Sequence, residues 1–179
     1  MKILQKFFGK KKNELEDKTK SFEAFKLINV ANGLAVNYYM PLLHMFPTLT
    51  LIPDSGLLED FDTLVTTASI GFVMTQLEYS YDVKETREYI FAINNEATKW
   101  NPDCSKLIIQ FGRYINNLIS ENKIKDLDEL SESLGAWVFI ALYDNNPHNI
   151  ELEEFANSRE LFFVLGNMIT NNFSNYWNK

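Results

Sequence analysis

Apolar side chains recur at three- and four-residue steps along almost the whole chain, and this spacing constrains the fold more than any other feature. It sets one face of an α-helix against a core, whereas a half-buried strand needs alternation at every second residue. Between Ser21 and Met40 the recurring set is Phe22, Phe25, Leu27, Ile28, Ala31, Leu34, Ala35 and Tyr38. Pro41 is expected to end that helix, because proline lacks an amide donor and disfavours a helical residue before it. A second helix runs from a cap at Asp54 or Ser55 to about Tyr79, through Leu57, Leu58, Phe61, Leu64, Val65, Ala68, Phe72, Val73 and Leu77. Asp82 with Glu85, and Asp126 with Glu129, have the spacing of capping boxes, in which each side chain accepts from the other residue's backbone N–H.

The first box opens a helix that stops before Asn101-Pro102, and Asp103 or Ser105 starts the next, which reaches Ile119. After the second box, ten successive apolar or small residues from Leu134 to Tyr143 predict a helix buried on every side, and so the central one. The period resumes through Leu152, Phe155, Phe162, Phe163, Leu165, Ile169, Phe173 and Trp177, with a break near Asn157-Ser158. Between Pro41 and Ser55 three prolines interrupt the pattern and Thr48–Leu51 alternates as a strand would. One short strand has no partner to pair with, so this stretch reads as an apolar, partly extended crossover. Short connections between most of the helices then predict an all-α fold, a single-domain antiparallel helical bundle of about six helices. Residues 1–20 form a basic N-terminal arm, flexible or a short amphipathic helix, and residues 21–179 the helical domain.

A chain of 179 residues with 46% apolar side chains can bury a full core without covalent staples. Its single cysteine excludes an internal disulfide framework and a Cys-rich metal site. Catalytic signatures are sparse. His44 and His148 stand about a hundred residues apart near prolines, and no nucleophile elbow of the G-x-S-x-G type occurs. Cys104 falls near a helix start, where the dipole would favour a thiolate, but a lone cysteine more often behaves as a small buried hydrophobe. Neither Gly-rich phosphate-binding spacing is present, and the arginines number three: Arg87, Arg113 and Arg159. For a di-iron bundle site, Glu-x-x-His is absent; His148-x-x-Glu151 has the reverse spacing, and inward candidates such as Glu78 and Glu96 also suit helix ends. No catalytic residue, metal or cofactor is expected. A carboxylate-metal enzyme, or a bundle holding an apolar small ligand, is the third reading in rank.

Charge is distributed unevenly. Residues 1–26 hold eight lysines (2, 6, 10, 11, 12, 18, 20 and 26) against four acids (14, 16, 17 and 23). The rest of the chain carries nine Lys and Arg against twenty acids within a total of −7. A field of that sign repels phosphate backbones, so nucleic acid is not an expected partner. It attracts a basic protein surface and accelerates encounter with one. Acids crowd three helix starts: Glu59, Asp60 and Asp62; Asp126, Asp128, Glu129 and Glu132; and Glu151, Glu153 and Glu154. Dipole complementarity explains them locally, and gathered at one end of a bundle they would form a negative patch. In Glu78-Tyr79-Ser80-Tyr81-Asp82, tyrosines alternate with acids in an interhelical turn, a composition favoured at interfaces.

The sequence therefore predicts a cytoplasmic, non-catalytic acidic module that binds another protein. In its most concrete form it is an immunity- or antitoxin-like inhibitor of a basic partner, contacting it through Glu59, Asp60, Asp62, Glu78, Tyr79, Tyr81 and Asp82. The alternative is a membrane-peripheral adaptor. Ile3, Leu4, Phe7 and Phe8 share a helical face beside Lys2, Lys6, Lys10, Lys11 and Lys12, a pattern suited to weak contact with an anionic membrane surface.

Overall fold

In the computed structural model, the backbone is described for residues 2–46, 57–144 and 158–177, and side chains for residues 18–46, 60–142 and 158–177. Among these residues the protein is all-α, a helical bundle without strands. Its elements are α1 (Lys2–Met45), α2 (Leu57–Thr75), the single turn α3 (Leu77–Ser80), α4 (Val83–Trp100), α5 (Cys104–Ser120), α6 (Leu127–Asp144) and α7 (Arg159–Phe173). The Pro47–Ser55 part of the crossover, the Asn145–Asn149 turn with His148, and Glu151, Glu153 and Glu154 lie outside the described residues. The expected break before the C-terminal helix coincides with the observed start at Arg159.

Pro41 does not end α1, contrary to the expectation from its missing donor; the helix runs through it to Met45. Pro41 points to solvent while the next residue, Leu42, is fully buried, so the lost hydrogen bond falls on the wet side where water can replace it. Beyond the proline, the Phe46 amide donates to the Leu42 carbonyl at 2.8 Å. The same helix passes residue 20 without interruption.

The central element is α2, where the sequence pointed to α6. Every residue from Leu64 to Val73 is buried, and the helix packs against α1, α5, α6 and α7. Its short polar residues make this burial cheap. Thr67 Oγ1 donates to the Thr63 carbonyl at 2.7 Å and Ser69 Oγ to the Val65 carbonyl at 2.8 Å, so each hydroxyl is satisfied on its own helix. The helix also ends earlier than expected, at Thr75. Trp177 Nε1 donates to the Val73 carbonyl at 2.9 Å, and the Gln76 amide turns back onto the same oxygen. Gln76 Nε2 then spans to the Phe173 carbonyl at 3.1 Å, binding the end of α2 to the end of α7.

At both predicted capping boxes the aspartate caps its helix, but the reciprocal bond from the glutamate to that aspartate's own amide does not form. Asp82 accepts from the amides of Lys84 and Glu85 at 2.8 Å. Asp126 accepts from the Glu129 amide at 2.8 Å, while Glu129 returns to the Lys125 amide at 2.6 Å, one residue before the expected one. At α5, Asp103 makes no side-chain cap; Asn101 Oδ1 instead accepts from the Asp103 amide at 2.9 Å, and its Nδ2 donates to Thr63 Oγ1.

Helices α6 and α7 meet at backbone contact distance. A β-carbon added at Gly135 would lie 1.8 Å from the Phe162 carbonyl oxygen, and one at Gly166 would lie 1.6 Å from the Ser131 oxygen. Beside this crossing the buried hydroxyls of Ser131 and Thr170 share a hydrogen bond at 2.9 Å, and the Phe139 and Phe162 rings pack 4.9 Å apart. Because the obstructing atoms are backbone, alanine cannot be accommodated by a rotamer change; the helices have to separate. Gly135→Ala and Gly166→Ala should each destabilise the fold by roughly 1–3 kcal/mol, more than offsetting their gain in helix propensity. At Gly33 and Gly112 an added β-carbon meets nothing within 4 Å. Alanine there should stabilise by about 0.5–1 kcal/mol, and thermal melts of the four variants should therefore shift in opposite directions.

Candidate functional site

The residues expected to contact a partner lie at the two ends of α2. Asp60 and Asp62 occupy its first turns, as does Glu59, whose side chain is outside the described residues. Glu78, Tyr79, Tyr81 and Asp82 lie beyond its other end, and a helix of 19 residues separates the two sets by about 28 Å. They do not form one surface. Asp60 borders a shallow depression with Thr63, Asn101, Asp103 and Lys106. Asp62 instead turns inward. Its Oδ1 is buried without a hydrogen-bond partner, as is Thr66 Oγ1 one turn on, and burial holds the Asp62 carboxyl above the ordinary aspartate range.

Beyond α2, Tyr79 is 91% exposed and Glu78 is exposed beside it. Tyr81 is half-buried, with its ring 4.6 Å from that of Tyr89 and 5.6 Å from that of Trp177. Tyr81 thus packs against the core, and Asp82 caps α4. Close by, α1 is fastened to α4. Lys20 pairs with Glu88, holding that carboxyl below its ordinary range by donating a hydrogen bond to it. Tyr89 donates to Glu23 at 2.5 Å, and burial together with that hydrogen bond pushes its phenol well up.

A strongly charged concavity lies where α6 begins beside the start of α7. It is lined by Asp126, Asp128, Glu129, Glu132 and Glu160, with Arg159 and Phe163. Arg159 is bidentate on Glu132, with Nε at 2.6 Å and Nη2 at 3.1 Å. That pairing leaves four carboxylates against no further cation in the lining. Phe163 is 41% exposed in this setting and Leu127, at the α6 start, is 52% exposed, so apolar surface adjoins the acids. The α6 acids were legible as a helix-start cluster. Glu160 and Phe163 come from a helix some thirty residues further on, and only the crossing at Gly135 and Gly166 places them alongside.

Among the described residues no three His, Cys, Asp or Glu side chains converge as a metal site would require. Glu96 pairs with Lys99 at 2.6 Å. The ring Nδ1 of exposed His44 donates to the Met40 carbonyl at 2.9 Å. Cys104 begins α5, as expected, but is fully buried with its Sγ 3.3 Å from Thr67 Oγ1. Burial pushes its thiol up, outweighing the opposing hydrogen bond with Thr67. Comparison with protein-family models, with curated proteins and with solved structures finds no match for the chain.

Two predictions follow from these environments. Cys104 in the native protein should react with a thiol-specific disulfide reagent at pH 8 at least about a hundredfold more slowly than after unfolding in guanidinium. A raised carboxyl pKa penalises the folded state only when the group is ionised; the penalty is absent below the unfolded value and grows as pH rises through it. Asp62→Asn should therefore raise the melting temperature at pH 7, by up to about 1 kcal/mol in stability. That gain should shrink as pH falls toward the ordinary aspartate value of 3.8, as melts in a pH series would show.

Proposed function

We propose that this protein works by non-catalytic binding of a basic partner protein, in the manner of an immunity- or antitoxin-like inhibitor that covers a cationic surface in the cytoplasm. The observation that supports this reading most is the concavity between the starts of α6 and α7, where five carboxylates face one guanidinium beside the exposed ring of Phe163. Fixed charges on helix starts attract lysine and arginine at long range, and an adjoining aromatic offers a guanidinium or a lysine stem a surface to cover. The body's excess of twenty acids over nine bases extends the same field. The segments first assigned to contact contribute less: Asp62 faces inward, Tyr81 belongs to the aromatic core, and exposed Tyr79 stands at the opposite end of α2 from Asp60.

In a pull-down from host lysate, the wild-type chain should recover a basic protein whose yield falls steeply between about 50 and 300 mM salt, as the Debye length shrinks to a few ångströms. Asp128→Lys combined with Glu160→Lys should slow association by about tenfold or more and abolish recovery, at a cost in stability of no more than about 2 kcal/mol from the two lost helix-start charges. Undiminished recovery by that double variant, or capture insensitive to salt, would overturn the reading.

A further inference from the structure

The side of α1 that faces away from the bundle is apolar. Its inner side buries Ala24, Leu27, Ile28, Ala31, Leu34, Ala35 and Leu42. On the outer side, Phe22, Phe25, Asn29, Gly33, Val36 and Met40 follow one another at steps of three and four, a single helical stripe. Phe22, Phe25, Val36 and Met40 are each more than half exposed, and at Gly33 nothing lies within 4 Å of an added β-carbon. A helix apolar on opposite sides is one that expects burial on both. Scattered exposed apolar residues are ordinary on a protein surface, but these four align over five turns as one stripe, interrupted midway by Asn29 and Gly33.

The charges on this length of α1 are mostly positive. From Lys18 to Met45, α1 carries a single carboxylate, Glu23, and its Oε2 accepts from the Tyr89 hydroxyl. The exposed charges on this length are Lys18 and Lys26, the latter lying over the Phe22 ring at 4.6 Å. In a protein of net charge −7, residues 1–26 hold eight lysines against four acids; Glu14, Glu16 and Asp17 lie between the lysines at 2–12 and this length of α1, and exposed Asp82 and Glu85 at the α4 start share a depression with Thr19 and Lys20. Aromatic and thioether side chains in line, with Lys18 and Lys26 beside them, complement an anionic lipid interface, where the apolar groups enter the acyl boundary and the ammonium groups meet phosphate. Among the other helices α6 is acidic, with four carboxylates and no base, and its side would be repelled by such a membrane; α5, by contrast, carries Lys106 and Arg113 and no acid.

We infer that the outer face of α1, centred on Phe22, Phe25, Val36 and Met40, is a docking surface for anionic membrane. The contact expected of residues 2–12 is then the beginning of a longer lipid-facing stripe. This surface is separate from the acidic concavity: α1 packs on α2 and α4, whereas α6 and α7 pack on each other and on α2.

Flotation of the full chain with vesicles of phosphatidylcholine and 30% phosphatidylglycerol, at about 150 mM salt, tests the inference. The expected result is co-flotation that drops at least tenfold on pure phosphatidylcholine, and drops by about a decade for each phenylalanine replaced in Phe22→Ser and Phe25→Ser. A chain lacking residues 1–12 should keep part of its binding and lose the remainder when both phenylalanines are replaced. Because all four apolar residues are exposed, the serine variants should melt within a few degrees of the wild type, so lost flotation reports the surface rather than unfolding. Three outcomes would overturn the inference: no flotation of the wild type, equal flotation of the double serine variant, or equal capture by neutral vesicles. A stable dimer in sedimentation that dissociates on Phe25→Ser with no vesicle binding would also overturn it, assigning the stripe to a second copy of the chain.

Discussion

Burial of α2 on all sides is the constraint on which the other helices depend. A helix surrounded by four neighbours can present no charge, and from Thr63 to Leu77 this one has none. It is not uniformly greasy, because Thr66, Thr67 and Ser69 are fully buried among the aliphatic residues. Short side chains keep the neighbouring helices close, and back-bonding to the preceding turn removes most of the desolvation cost of their hydroxyls. The exceptions, Thr66 Oγ1 and Asp62 Oδ1, follow one another by a single turn, so the residual cost is concentrated on one strip of α2. The end of this helix is also fixed from outside: once Trp177 occupies the Val73 carbonyl, the chain can leave α2 and turn toward α4.

This arrangement shows what the sequence made legible and where it misled. Three- and four-residue spacing located nearly every helix, and Asp82 and Asp126 marked two starts to the residue, because capping chemistry is local. The rank of the helices was not local. Ten apolar residues in α6 suggested the centre, yet Ile140 and Ala141 are only partly buried, whereas the threonine- and serine-bearing α2 is enclosed. Reading Thr and Ser as surface residues fails wherever their hydroxyls can return to their own helix. Pro41 misled for a related reason, since the cost of a missing amide depends on whether that flank meets water, which neither Pro41 nor its neighbours reveal.

The candidate surfaces were half legible. Composition disclosed a basic opening and an acidic body, and the acids at the start of α6 were plain as a cluster. Their completion by Glu160 and Phe163 depends on two glycines that let α6 and α7 touch at the backbone, a relation with no signature in either segment alone. The stripe on α1 was obscured by a different effect. Phe22 and Phe25 share the three- and four-residue spacing of the core-facing residues, and a helix apolar on both sides gives no sharp polar face to tell inside from outside.

Separation of charge by side ties these features together. Had the acids been spread evenly, a −7 protein would be repelled by any anionic surface in every orientation. Here the exposed lysines of α1 and the carboxylates of the α6 and α7 starts belong to helices that meet only through α2 and its neighbours. If α1 docks on anionic lipid as inferred, orientation carries information: the acidic concavity is kept off the membrane, where it would be open to the proposed cationic partner. Screening shortens both attractions to about a Debye length, roughly 8 Å at physiological salt, so each proposed surface would act mainly on its own side.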